Sequence, residues 1–183
     1  MTMRQFITGH DADGNAIFLS DDEVMPTEVA MIPWYKSFEL WSMNGAREVP
    51  HSGPFPGVPS YFPDKEGVVF RIIVLPPVAD GEAGIEVSQE SIDEIQEKLP
   101  GFVEHLEPEN PGMLHTTDSI DFGIVLEGEV YLELDNGAER CVRAGDCVIQ
   151  NGTRHAWRNR SGKPVTMAFI VLGAERQANP VRS

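Results

Sequence analysis

The sequence has little cysteine, little positive charge and no long apolar run. Of its 183 residues only Cys141 and Cys147 are cysteines, too few for a disulfide-stabilised fold, so we expect two reduced thiols. No segment approaches the ~18 apolar residues that a membrane-spanning helix requires. The first residues, MTMRQFITGHDADG, lack the apolar stretch of a signal peptide. These features predict a cytosolic protein.

Acidic residues outnumber basic ones by 29 to 14, which gives a formal net charge of −15. Such a chain repels phosphate backbones and anionic lipid surfaces, so nucleic acid and membranes are poor candidate partners. The acidic residues are spread along the chain, which is typical of a solubilising surface.

The chain divides into an N-terminal arm with a long loop, residues 1–65, and a strand-rich remainder, residues 66–183. The arm begins with a predicted hairpin, in which two strands flank the turn-forming cluster Asp11 to Gly14. Residues 29–41 read as an extended segment interrupted at Pro33, and residues 42–64 contain five prolines, which exclude a helix or a central strand. A loop of this length is typical of a lid, an interface arm or a disordered piece. Together the two parts are expected to form one structural domain.

The remainder is predicted to be β-rich, with one short helix. Val68 to Leu75 is a β-branched run ending at two prolines, and a helix is expected at about 91–99, with Ser91 as N-cap and Glu94 completing a capping box. After residue 112, short strands alternate with tight turns, and Asn136-Gly137 is a strong type I′ hairpin signal. Many short antiparallel strands favour a sandwich or barrel, an all-β fold.

Two histidines carry the candidate chemistry. On strands, alternate residues point to one face, so His115, Thr117 and Asp121 share a face, and His155 shares one with Trp157 and Asn159. If both faces line one barrel, two imidazoles and a carboxylate converge in a combination that suits Fe(II) and also serves Zn, Mn or Ni. The alternative from spacing alone is that each histidine is an ordinary hydrogen-bonded residue.

The stretch MLHTTDSIDFGIVLEGEVYLELDNG, followed by RAGDCVIQNGTRHAWRNRSGKPVTMAFIVLGA, resembles the two motifs of the cupin superfamily. His115 matches the first histidine of the first motif, Asp121 its glutamate and Gly128 its closing glycine, while His155 and Asn159 match the second motif. The resemblance implies a small single-domain cupin, an antiparallel double-stranded β-helix or jelly-roll barrel. The opening FITGHDADGNAIFLSDD is similar to a bacterial and fungal subgroup of small cupins, for which no general activity carries over.

The departures from the family pattern reduce its implied metal site. Thr117 occupies the second-histidine position, Asp121 replaces the glutamate, and Gln150 stands in place of a proline. At most His115, Asp121 and His155 remain as ligands. Either they form an open three-ligand site for one divalent metal (Fe, Zn, Mn or Ni), or the metal is absent and the histidines bind a ligand or each other.

Two functions follow from this. One is a metal-dependent enzyme, of the decarboxylase, isomerase or oxygenase type, acting on a small organic acid or carbonyl compound. The other is a metal-free, non-catalytic cupin that binds a small molecule in its barrel. In either case Thr117, Trp157, Arg71 and Asn159 are candidate ligand contacts, although Arg71 is also expected to pair with an acidic side chain.

The aromatic residues of the arm predict a homodimer. Phe18, Trp34, Phe38 and Trp41 carry more apolar bulk than one barrel edge needs. An exposed strand edge or apolar patch favours pairing with a second copy, whose sheet edge the arm would cover.

Overall fold

The computed structural model describes residues 2–30, 35–50, 57–77, 88–105, 107 and 114–177. In these residues the fold consists of ten β-strands and one α-helix: β1 Met3–His10, β2 Ala16–Val24, β3 Lys36–Met43, β4 Val68–Leu75, α1 Gln89–Lys98, β5 Ser119–Glu127, β6 Glu129–Leu134, β7 Glu139–Arg143, β8 Cys147–Asn151, β9 His155–Arg158 and β10 Val165–Gly173. No described helix is long and apolar enough to cross a membrane.

The strands form two antiparallel sheets and a separate hairpin. The larger sheet has the order β3-β4-β10-β5-β8, the smaller one β7-β6-β9, and β1 pairs only with β2. Inward-facing residues of both sheets, among them Val125, Val130 and Met167, belong to one buried apolar cluster. The predicted all-β antiparallel barrel is therefore confirmed, and β4 coincides with the predicted strand.

Turn chemistry explains how the smaller sheet begins. Gly128 has a φ of +86° where β5 gives way to β6, and a Cβ there would lie 3.3 Å from the carbonyl oxygen of Pro164. Asn136 and Gly137 both have positive φ, 59° and 70°, between β6 and β7. A type I′ turn requires positive φ at both central positions, so the hairpin predicted at this dipeptide is present.

The helix is capped differently from the prediction. Its N-cap is Ser88, whose hydroxyl accepts a hydrogen bond from the Ser91 amide, so Ser91 lies in the first turn. Glu94 does not close a capping box, because its carboxylate accepts hydrogen bonds from the Ala30 amide and the Lys98 ammonium. The helix therefore begins three residues earlier than the predicted cap would place it. Ile95 is buried, which fixes α1 against the side of the barrel.

The arm packs on the outside of the larger sheet. Met3 of β1 is buried together with Phe38 and Leu40 of β3. Of the aromatic residues behind the predicted dimer, Phe18 is exposed and Trp41 is half-buried, while Trp34 lies outside the described residues. The hairpin thus covers one side of its own sheet and leaves part of its apolar surface open.

Candidate functional site

The two motif histidines lie side by side at one end of the barrel. His115 and His155 exchange two backbone hydrogen bonds of 3.0 Å, which join the segment before β5 to the start of β9. Their ring centroids are 4.3 Å apart, with an angle of 49° between the planes. The structure therefore brings the two motif histidines together.

His155 is held in one tautomer. Its ring is buried, with 3% of the residue exposed, and Nδ1 lies 2.9 Å from the carbonyl oxygen of Thr153. Because a carbonyl only accepts, Nδ1 carries the proton and Nε2 keeps its lone pair in the neutral ring. Burial, assisted by the neighbouring His115, lowers the pKa of His155 to about 4. The imidazole is therefore neutral, with Nε2 as a hydrogen-bond acceptor and base.

Asp121 is the buried carboxylate of the site. It lies on β5, opposite Val171 of β10 and Gln150 of β8. Burial raises its pKa, while hydrogen bonding from Ser119 and the charge of Arg71 act in the opposite direction. Its Oδ1 atom has no hydrogen-bond partner among the described residues. A buried carboxylate oxygen without a donor is costly, so it is a natural contact for a ligand hydroxyl or amine.

Arg71 is a buried cation on β4. Its guanidinium lies 3.5 Å from the ring centroid of Tyr61, donates to the Tyr61 carbonyl oxygen at 2.5 Å and is 3.1 Å from Glu39 Oε2. The Tyr61 hydroxyl is in turn 2.8 Å from the Tyr35 hydroxyl. Nε of Arg71 has no hydrogen-bond partner in the described part of the chain. The expected acidic partner exists, and one donor remains for a ligand.

These groups surround one cavity inside the barrel, with a volume of about 150 Å³. Such a volume holds a molecule about the size of benzene. Most of its wall is apolar or aromatic. The lining residues come from both sheets, the loop before β4 and the turn after α1: Tyr35, Tyr61, Phe62, Arg71, Ile73, Leu75, Pro76, Phe102, His115, Asp121, His155, Trp157, Asn159, Phe169 and Val171.

Trp157, a predicted ligand contact, lines the cavity. Its ring lies edge-on to His155, with centroids 6.1 Å apart, and edge-on to Phe169, at 5.8 Å. The indole therefore keeps the His155 ring in place and forms part of the wall against which a flat ligand would pack.

Thr117 and Asn159, two predicted ligand contacts, use their polar groups in hydrogen bonds within the protein. Thr117 is buried but does not line the cavity, and its hydroxyl accepts a hydrogen bond from Ser119. The assumed strand parity does not apply there, because β5 begins only at Ser119. Asn159 does line the cavity, yet both donors of its amide go to the carbonyls of Leu75 and Lys163. This geometry favours a structural role for Asn159 over a ligand contact.

The three predicted metal ligands do not form a compact donor set. No group of three or more His, Cys, Asp or Glu among the described residues is arranged to hold a metal ion. The histidines are adjacent, whereas the charge that acts on Asp121 is that of Arg71. The structure therefore brings the two histidines together without adding Asp121 to them, and metal ligation by His115, Asp121 and His155 stays a prediction.

Sequence reasoning missed the aromatic half of the site. Tyr35, Tyr61, Phe62 and Phe102 all line the cavity but come from segments outside the two motifs. Phe62 and Phe102 stack at 6.5 Å, and Tyr61 meets each of them edge-on. The only sequence feature that marked this part of the site was the adjacent aromatic pair Tyr61-Phe62, at the end of the proline-rich loop. No sequence feature pointed to Glu39, the partner of Arg71.

Known proteins are similar to this chain in sequence. A family model described as a cupin domain matches residues 102–171. The chain is 31% identical over 176 residues to phomopsin biosynthesis cluster protein C′ of Diaporthe leptostromiformis, covering 95% of this chain and 80% of that protein. It is 29% identical over 169 residues to a cupin-domain-containing oxidoreductase of Aspergillus ruber, covering 91% and 70%.

Solved structures are similar at lower identity. A cupin 2 conserved barrel domain protein from Salinispora arenicola aligns over 80% of this chain and 82% of its own, with 19% identity and a TM-score of 0.40. A cupin domain from Schizosaccharomyces pombe aligns over 93% and 87%, with 10% identity and a TM-score of 0.45.

Proposed function

This chain belongs to the cupin family, and from that premise we propose that it is an enzyme that binds a small neutral oxygenated compound in its barrel. In this proposal His155 removes a proton from the bound molecule. The observation that carries it is the fixed tautomer of His155, because the Nδ1 proton is held by Thr153, which leaves the lone pair on Nε2 of a ring that lines the cavity.

The charges in the cavity favour a carbonyl or hydroxyl compound over an organic acid. Arg71 is the buried cation of the site, and it already pairs with Glu39. Asp121 adds a second buried carboxyl, and the neutral His155 adds no positive charge. Among the described residues that line the cavity, a ligand carboxylate would find no unpaired cation, whereas a carbonyl oxygen can accept from Arg71 Nε and a hydroxyl can donate to Asp121 Oδ1.

The relatives support an oxidoreductase among the possible reaction classes. A protein 29% identical over most of this chain is a cupin-domain-containing oxidoreductase. Enolisation of a ketone requires loss of a proton from the carbon next to the carbonyl, and a neutral imidazole can accept that proton. The adjacent His115 ring supplies a second polar group at the same wall.

A non-catalytic, metal-free ligand-binding cupin is the second candidate. The absence of a compact three-ligand set among the described residues favours it over a metal-dependent decarboxylase, isomerase or oxygenase. Both candidates bind a small molecule in the same cavity, and they differ in whether His155 exchanges a proton with it.

Deuterium exchange separates these candidates. The protein is incubated in D₂O with small cyclic ketones and phenyl ketones, and label at the α-carbon is followed by NMR. We expect exchange above the buffer rate with the wild type, loss of it in His155→Gln, and full exchange in His10→Gln, whose histidine lies on the exposed hairpin. Saturable ligand binding with no exchange in the wild type would establish the non-catalytic cupin instead.

A further inference from the structure

Gly123 leaves a gap in the inward face of β5. It lies between two buried residues of the same face, Asp121 before it and Val125 after it. Gly123 is not one of the glycines with a positive φ, so the backbone does not require glycine there. A glycine inside a strand weakens the strand, and it often marks a place where another group approaches closely. The reason for this glycine is therefore sought in what fills the space of its missing side chain.

The ring of Phe169 fills that space. Phe169 lies directly opposite Gly123 on the neighbouring strand β10. A Cβ on Gly123 would lie 3.0 Å from Cε1 and 3.4 Å from Cδ1 of the ring. Non-bonded carbon atoms pack best at about 3.5–4.0 Å, so a side chain at position 123 would push the ring off the strand. Because the ring lines the cavity, this displacement would be into the cavity.

Phe169 also connects Gly123 to the proposed base. The Phe169 ring is edge-on to Trp157, with centroids 5.8 Å apart, and Trp157 is edge-on to His155 at 6.1 Å. Phe169 belongs to the larger sheet and Trp157 to the smaller one, so their contact joins the two sheets at the cavity. The position of the Phe169 ring therefore sets the width of the cavity beside the indole that packs on the base.

We propose that Gly123 and Phe169 determine which ligands the cavity accepts, and that they limit it to neutral ketones with a single six-membered ring. This inference rests on the proposed function and narrows its substrate class. The cavity volume of about 150 Å³ holds one ring of benzene size and leaves no room for a second. Gly123 provides this room by letting Phe169 lie against the strand. The two residues determine specificity and take no part in proton transfer.

The expected effects follow from the space that each residue occupies. A single methylene group in an apolar pocket changes affinity by about 10-fold to 200-fold, and Gly123→Ala adds a group of that size behind the ring. Phe169→Ala removes a whole phenyl ring from the wall. Cavities opened in this way stay dry when their lining is apolar, and they bind apolar rings. The first change should therefore exclude a one-ring ketone, and the second should admit a two-ring ketone.

Dissociation constants for acetophenone and 2-acetonaphthone, measured by ligand-observed NMR titration, test this assignment without requiring turnover. The wild type should bind acetophenone at least about tenfold more tightly than 2-acetonaphthone. Gly123→Ala should weaken acetophenone binding at least about tenfold, and Gly123→Ala combined with Phe169→Leu should restore it. Phe169→Ala should bind 2-acetonaphthone at least as tightly as acetophenone. The control is Phe122→Leu, next to Gly123 on the outward face and 39% exposed, which should leave both constants unchanged.

Circular dichroism and the melting temperature establish that each variant is folded. If Gly123→Ala alone does not fold, its combination with Phe169→Leu and the single change Phe169→Ala still carry the test. A wild type that binds neither ketone would overturn the proposed function together with this inference. A wild type that binds acetophenone, with the same preference kept in the folded Gly123 and Phe169 variants, would overturn this inference alone.

Discussion

His115 and His155 are joined twice, by reciprocal backbone hydrogen bonds of 3.0 Å and by rings whose centroids lie 4.3 Å apart. The backbone pairing holds together the two main-chain segments that carry the rings. The pair is therefore a rigid element of the cavity wall, and the electrostatic state of one ring depends on the other.

The burial of the His155 ring makes the free energy of unfolding depend on pH. An unfolded histidine has a pKa of 6.5 and the folded one about 4, so the unfolded state binds the proton more readily. The contribution of His155 to the free energy of unfolding is therefore fully present above pH 6.5. It falls by about 3 kcal/mol as the pH drops toward 4. Urea titrations of the wild type and His155→Gln between pH 7 and 4 should diverge in that sense. Identical pH dependence in the two proteins would contradict the pKa shift.

Removing one partner of the buried Arg71–Glu39 pair is expected to destabilise the protein more than removing both partners. Arg71→Met leaves the Glu39 carboxylate without its buried partner and should lower the free energy of unfolding by about 3–5 kcal/mol. Arg71→Met combined with Glu39→Gln should recover much of that loss. Arg143→Met breaks the exposed pair with Glu129 and should cost less than about 1 kcal/mol. Chemical denaturation measures all three, and additive losses in the double variant would exclude a coupled pair.

Thr117→His tests whether a histidine at position 117 can act as a metal ligand, as the motif resemblance implies. Thr117 is fully buried and does not line the cavity, so a larger side chain should cost about 1–3 kcal/mol in overpacking without adding a ligand. Elemental analysis after purification without a chelating column should show no gain in Fe, Zn, Mn or Ni over the wild type. A stoichiometric gain, lost again in Thr117→His combined with His155→Ala, would support the metal site that the motif resemblance implies.

The sequence predicted the barrel well because its strands carry strong local signals. Val68 to Leu75 is rich in β-branched residues, and the paired glycines and asparagines between later strands specify turns. The site was predictable only where two residues share a strand register, as with His115 and His155. The alternation of strand residues was used to place Thr117 on the face of Asp121. Thr117 lies before β5 begins, however, so that alternation does not determine where its side chain points. Tyr35, Tyr61 and Phe102 meet in the cavity through tertiary packing, which no local pattern encodes.

The hydrogen bond between His155 Nδ1 and Thr153 also has a stereochemical consequence. It leaves a single basic nitrogen on this ring, fixed to one wall of a cavity of about 150 Å³, in which a ring-sized ligand has little room to turn over. A proton taken by that nitrogen from a prochiral carbon leaves from one face only. Removal of the proton is therefore specific for one of the two prochiral hydrogens, and deuterium returned from the same nitrogen enters on that face, so the base is oriented by a backbone carbonyl two residues before it.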